Sequence, residues 1–200
     1  MSPKDDLRTT GLRQRKKTRT RALIQSKALQ LFRKHGYEET TVDQIAAAAE
    51  VSQSTFFRYF STKEDLILHD DFDPLIVEAF RAQPPELTPA QALRSTFRSV
   101  FSGMSREQSA DMRERIALIL SVPVLRAAML GQLYEAMLLV ARLAGERRQR
   151  REDDLATQTF AGAVIGVAMT VMFAVARDPA ADLASLFDEA MGHLETGLRL

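Results

Sequence analysis

Only seven prolines and nine glycines stand in the 200 residues, and between them apolar side chains return every three or four positions. A half-buried strand would show them at every second position, so the pattern predicts an all-α chain. With 46% hydrophobic residues there is enough apolar material for a packed core in one or two domains. The first helix is predicted from about Arg15 to His35, with Ile24, Ala28, Leu31 and Phe32 on one stripe and Gly36 as its terminator. Thr41 and Gln44 have the spacing of a capping box. The short helix they open presents Val42, Ile45, Ala46 and Ala49 on one side. Ser52 can cap the next helix, which runs to about Phe60, and Ser61 or Thr62 a fourth beginning near Lys63. Two short helices joined by a tight turn and braced by a longer one predict a helix-turn-helix.

Beyond this unit, Pro74 should kink a helix or restart it with Asp73 as cap. Thr88-Pro89 opens a helix to about Met104, and Ser105 with Gln108 caps another that ends near Val122-Pro123. A long amphipathic stretch follows to about Arg150, then an uncharged segment from Leu155 to Ala176. After Asp178-Pro179 comes a last stripe of Leu183, Leu186, Phe187, Ala190, Met191, Leu194 and Leu198.

The net charge of +1 conceals a division. Residues 1–63 carry 13 basic and 6 acidic side chains, net +7, whereas residues 64–200 carry 14 and 20, net −6. The division places a boundary near residue 63, with a flexible basic arm over residues 1–14 and a basic helix-turn-helix domain over 15–63 set against an acidic helical domain over 64–200. Without cysteine, disulfides, thiolate metal sites and thiol nucleophiles are excluded. Met1 to Leu12 holds no apolar run of a secretory signal, so the cytoplasm is the expected compartment. Three histidines with no acid–base partner leave no visible machinery for an enzyme and call for no cofactor. His69 with Asp70, Asp71 and Asp73 cannot converge on a metal, because consecutive helical residues diverge by about 100°.

In a helix-turn-helix the second helix enters the major groove, so its outward residues must be able to meet base edges. Gln53, Ser54 and Thr55 fit, with Phe57 and Arg58 beside them, while Val51, Phe56 and Phe60 have the spacing of residues that pin the helix to its neighbours. Gln53 can bond adenine bidentately, Thr55 and Phe57 can meet a thymine methyl, and Arg58 can reach guanine or a phosphate. Tyr59, Thr41 and Lys63 are placed for the DNA backbone. Arg15, Lys16, Lys17 and Arg19, with Arg13 and Arg21, supply charge that is indifferent to sequence.

Residues 19–69 resemble the DNA-binding region of the TetR family. The resemblance is carried by Ala28-Leu29-Gln30-Leu31-Phe32, Gly36-Tyr37, Thr40-Thr41-Val42, Ile45-Ala46, Val51-Ser52, Thr55-Phe56-Phe57-Arg58-Tyr59-Phe60 and Lys63-Glu64-Asp65-Leu66. It implies a dimeric, ligand-responsive transcription factor, usually a repressor, with residues 15–63 as its DNA-binding domain and 64–200 as an all-helical effector-binding and dimerisation domain. It also implies base-facing Gln53, Ser54, Thr55, Phe57 and Arg58, with Thr41, Tyr59 and Lys63 on phosphates. Two positions depart from the family pattern. Phe57 stands where tyrosine is usual, and Glu50 stands where the turn usually has glycine, so Glu50 must take an uncomfortable backbone conformation or shift the turn. The run from Phe56 through Asp73-Pro74 also resembles a subgroup whose second domain is described as binding acyl-CoA-like ligands.

In that second domain Phe97, Phe101, Met104, Arg113, Ile116, Leu120, Arg126, Met129, Tyr134, Met137 and Phe160 are the candidate pocket walls. Arg113, Arg115, Arg126 and Arg142 could hold an anionic effector or pair with Asp111, Glu114 or Glu135. The Leu155–Ala176 segment is long enough to span a bilayer, but its alanines, glycines and Thr157-Gln158-Thr159 give little drive to enter one. The preferred reading is a four-helix dimer core built from Gly162, Gly166, Met169, Phe173, Leu183, Phe187, Met191 and Leu194. The expected partners are operator DNA, a small apolar or acyl-type effector and a second copy of the chain, with no membrane. An activator or an effector-independent binder would share the same front domain. A helical enzyme or carrier with an incidental basic arm is the alternative from another class.

Overall fold

The computed structural model describes the backbone of residues 3–69, 72–178 and 180–197 and the side chains of residues 16–69, 74–178 and 180–197. Among the described residues there are ten helices and no strand. They are α1 (Pro3–His35), α2 (Val42–Ala48), α3 (Gln53–Tyr59), α4 (Lys63–Leu68), α5 (Phe72–Arg81), α6 (Pro89–Ser102), α7 (Arg106–Ser121), α8 (Pro123–Arg148), α9 (Leu155–Arg177) and α10 (Leu183–Glu195). The chain divides into two compact units, residues 1–69 and 70–200.

The first unit is α1 to α4. Gly36 closes α1 at φ +85°, a region that costs a residue with a Cβ about 1–2 kcal/mol. The capping box forms, with the Gln44 amide donating to Thr41 Oγ1 at 3.2 Å and the Thr41 amide to Gln44 Oε1 at 2.9 Å. Ser52 and Thr62 cap α3 and α4 in the same way, accepting from the amides of Thr55 and Asp65. Ile24, Ala28, Leu29 and Phe32 of α1 are buried, as are Ile45, Ala46 and Ala49, Phe56 and Phe60, and Leu66 and Ile67. Val51, expected in this core, and Leu31, expected on the α1 stripe, are only half-buried.

Two boundaries differ from expectation. The α1 backbone begins at Pro3, so residues assigned to a flexible arm are continuous with the helix. Proline is suited to a first turn, and Leu, Arg, Lys and Gln favour propagation. The unit boundary falls after His69 rather than after Lys63. The Gln25 side chain on α1 donates to the carbonyls of Leu66 and His69, which binds α4 into the first unit.

The second unit is built around α9, which packs on α7, α8 and α10, while α6 joins α5 to α10. Val164, Val167, Val171 and Val175 of α9 share one core with Phe80, Leu93, Ile116, Leu143, Phe187 and Met191. By length and composition α8 and α9 could each cross a membrane, yet α9 spends its valine face on this core. The Arg94 guanidinium ties α6 to α10, donating to Asp188 at 2.9 and 3.1 Å and also to Glu195. Pro74 lies inside the first turn of α5, where its missing N–H removes no helical bond. The side chains of Asp70, Asp71 and Asp73 lie outside the described residues. Gly145 makes the sharp α8–α9 connection possible, since a Cβ there would stand 2.8 Å from the Arg150 carbonyl oxygen.

Candidate nucleic-acid interface

A fixed scaffold under α3 decides which side chains face out. Phe56 and Phe60 are buried and lie 5.8 Å apart between ring centres, with the Arg21 guanidinium 4.9 Å above the Phe60 ring. They turn Gln53, Ser54, Phe57 and Arg58 to the outside, whereas Thr55 and Tyr59 are half-buried at the edges of that face. Phe57 is 52% exposed, an apolar ring among polar side chains that meets the Phe56 ring edge-on at 5.4 Å between centres. Arg58 lies 5.5 Å above the Tyr59 ring, which steadies its otherwise mobile chain.

The turn between α2 and α3 carries the departure noted in the sequence. Glu50 adopts φ +55°, the left-handed conformation that glycine would take without strain, and the turn keeps its place because the amide of Val51 still bonds Ala46 O at 3.0 Å.

Thr41 is exposed at the start of α2. Lys63, expected to face a phosphate, is more enclosed than that expectation implies. Its ammonium donates to the carbonyls of Tyr37 and Thr40 at 2.9 and 3.2 Å and sits 4.1 Å from the centre of the Tyr37 ring. The Tyr37 hydroxyl donates in turn to Glu64 at 2.9 Å, and burial, reinforced by that carboxylate, pushes the phenol well above its ordinary range. Lys63 is thus first a clip for the loop after α1, and spacing alone could not reveal the carbonyls it serves. Lys16, Lys17 and Arg19 are exposed along α1, while the side chains of Arg13 and Arg15 lie outside the described residues. Sequence reasoning missed Asp43, whose carboxylate on α2 accepts a hydrogen bond from the Gln53 amide nitrogen on α3.

In the second unit a cleft of about 950 Å³ is lined by Val77, Glu78, Arg81, Leu138, Leu139 and Arg142, among others, together with the carboxylates Glu135, Glu152 and Asp153. None of the eleven expected wall residues lines it. Met104 borders a smaller hollow with Leu75 and Val100, and Leu120 another with Phe173. Phe97 stacks on Phe187 at 4.0 Å and on Phe101 at 5.5 Å, Ile116 is buried, and Phe160 packs against the core. Tyr134 points outward at 57% exposure, and Met129 and Met137 are half-buried on α8. Arg126 donates to the Leu120 carbonyl at 2.8 Å, satisfying the break between α7 and α8, and the Ser185 hydroxyl and amide, with a smaller contribution from Arg113, hold the Asp182 carboxyl below its usual range. Helical spacing does not distinguish a ring that faces a void from one that faces another ring.

The expected dimer residues divide in two. Gly162, Gly166 and Phe173 form an outward stripe on α9 with Met169 half-buried beside them, and both glycines face open space. Phe187 and Met191 are buried inside their own protomer at 3% and 0% exposure, a correction to their assignment to a subunit interface. The apolar stripe of α10 is consumed by α6 and α9, with Leu183 and Leu194 packed at the margin of the same core.

Residues 24–69 match the family model described as bacterial regulatory proteins, tetR family, and residues 87–199 match that of the MftR C-terminal domain. The chain is similar to the HTH-type transcriptional regulator TcmR of Streptomyces glaucescens, at 46% identity over 92 residues. That match covers 45% of this chain but only 41% of TcmR. At 26% identity over 187 residues it is similar to the putative mycofactocin biosynthesis transcriptional regulator MftR of Mycobacterium tuberculosis, covering 92% of this chain and 93% of that one. Among solved structures, FadR of Thermus thermophilus, a TetR family transcriptional repressor in complex with lauroyl-CoA, superposes with a TM-score of 0.58 at 25% identity. It covers 90% of this chain and 95% of its own. FadR from Bacillus halodurans shares the fold, with a TM-score of 0.57 at 23% identity over 89% of this chain and 99% of that one. With its helix-turn-helix unit and more than half of its length matched in this way, the chain belongs to the TetR family and is a transcriptional regulator rather than an enzyme.

Proposed function

We propose that this regulator is a cytoplasmic homodimeric repressor that binds a palindromic operator and is released by a small apolar or acyl-type effector. The observation that carries the reading is the outward face of α3, where Gln53, Ser54, Phe57 and Arg58 stand on a buried Phe56–Phe60 base. Two such faces related by a two-fold axis would enter successive major grooves roughly 34–36 Å apart. Thr55 lies at the edge of the reading face. Thr41, Tyr59, Lys63 and the basic side chains of α1, Arg15, Lys16, Lys17 and Arg19, supply backbone contacts and salt-dependent affinity.

The second copy is proposed to cover the α9 stripe at Gly162, Gly166, Met169 and Phe173, with Leu183 and Leu194 of α10 at the margin. An apolar stripe on a water-facing helix calls for such a partner and needs no membrane. For the effector, the acyl-CoA held by the Thermus FadR supports an acyl ester. The cleft offers Val77, Leu138 and Leu139 to a chain and Arg142 to an anionic head. Release requires the effector to bind the DNA-free form more tightly than the DNA-bound form.

Footprinting the full chain on DNA upstream of its own gene, with and without lauroyl-CoA, tests this reading. The expected result is a protected palindrome that fades as the ester is added. Protection unchanged by acyl esters would replace the repressor by an effector-independent binder, and protection strengthened by them would favour an activator.

A further inference from the structure

Of the four side chains exposed on α3, Gln53, Ser54, Phe57 and Arg58, only Phe57 cannot form a hydrogen bond. It follows Gln53 by four residues and Ser54 by three, so on a helix it stands next to both, at the middle of the outward face rather than at its rim. Its ring is seated as well as exposed. It meets the buried Phe56 ring with 85° between their planes, and Phe56 in turn lies against Phe60. A phenyl ring has no donor for a phosphate oxygen, so it cannot anchor the DNA backbone as a hydroxyl would. Against the floor of the major groove it would cover N7, O6, O4, N4 or N6, each of which loses water there without gaining a hydrogen-bond partner. The apolar group that projects into that groove is the 5-methyl group of thymine. Thr55, whose own methyl group has the same chemistry, is half-buried at the edge of the face, and its hydroxyl accepts from Ser52 at 3.0 Å.

We infer that Phe57 reads the C5 substituent of one pyrimidine in each half-site, so that the determinant at that position is a methyl group and not the identity of the base. Thymine and 5-methylcytosine both supply it, whereas uracil and unmodified cytosine do not. An operator that holds cytosine at that position is therefore bound more tightly once the cytosine is methylated, which gives the regulator a sensitivity to DNA modification. This inference deepens the proposed function and rests on α3 being the reading helix.

The test starts from the duplex that the full wild-type chain enriches from a randomised library. Each of its thymines is replaced in turn by deoxyuridine, which removes the methyl group and nothing else, and the duplexes are titrated with wild type, Phe57→Ala and Thr55→Ser. One thymine per half-site should stand out in wild type, uracil there weakening binding by roughly three- to tenfold, the effect of sheltering one methyl group from water. That loss should shrink to less than about twofold in Phe57→Ala and persist in Thr55→Ser. At the same position a C·G pair and its 5-methylcytosine counterpart should differ, in wild type, by about the same factor as uracil and thymine. This comparison needs no variant and stands even if Phe57→Ala folds poorly. Indifference of wild type to uracil at every thymine, a loss that folded Phe57→Ala retains in full, a loss abolished by Thr55→Ser, or no gain from 5-methylcytosine would each overturn the inference. Failure of wild type to enrich any duplex would instead sink the DNA-binding reading on which it rests.

Discussion

The Lys63 ammonium lies 2.9 Å from the carbonyl oxygen of Tyr37 and 4.1 Å from the centre of the same residue's ring. A half-buried cation that satisfies a carbonyl and faces an aromatic ring contributes to folding independently of any DNA. Lys63→Met retains much of the aliphatic stem and removes the donors. It should lower the stability of the first unit by about 1–3 kcal/mol, read as a fall in urea midpoint at unchanged slope. If the third N–H of the ammonium also meets a phosphate, the slope of log affinity against log salt falls by about one.

Glu50 holds a left-handed conformation in the turn that aims α3. Glu50→Gly should relieve that strain and raise stability by about 0.5–1 kcal/mol, the steric relief exceeding the added entropy of the unfolded chain. Thermal unfolding of the variant checks this, and a lower midpoint would mean that the turn is not strained in solution.

How far these features were legible beforehand differs between the two units. Thr41, Gln44, Ser52 and Gly36 announced the short helices because capping and termination are local chemistry, decided within four residues. The outward face of α3 was legible for the same reason, since Phe56 and Phe60 fix the rotation of a helix only seven residues long. Asp43 and Lys63 were not, because their partners lie 10 and up to 26 residues away and depend on how helices pack. The second unit resisted further. An apolar stripe such as Phe187 and Met191 serves equally for a core or an interface until its neighbour is known, and α6 turned out to be that neighbour.

The division of the α9–α10 surface can be separated by mutation. Phe173, 47% exposed, should tolerate Phe173→Glu in the folded protomer, yet that change should shift the chain from dimer to monomer in light scattering. Phe187→Ala should instead cost about 3–5 kcal/mol of protomer stability, because it empties a site stacked against Phe97. The opposite pattern would return Phe187 to the interface.

Asp188 holds together the α6–α10 contact, and its hydrogen bond from Arg94, with a further one from Arg98, keeps its carboxyl below the ordinary value of 3.8. A carboxyl lowered on folding stabilises the native state fully above its unfolded value, and that contribution is lost as pH falls toward the lower folded value. Unfolding followed from pH 6 down to about pH 2 should therefore show wild type losing stability more steeply below about pH 4 than Asp188→Asn does. Parallel curves would indicate that the carboxylate contributes nothing through its charge.

The central claim is that the exposed face of α3 reads DNA sequence. Anisotropy titration of the full chain against its upstream duplex and a scrambled duplex, repeated for Gln53→Ala combined with Arg58→Ala, tests it most directly. The account predicts that wild type prefers the upstream duplex by at least about a thousandfold, and that the double variant keeps salt-dependent affinity for both duplexes while most of the preference disappears. A double variant that distinguishes the two duplexes as well as wild type does would contradict it.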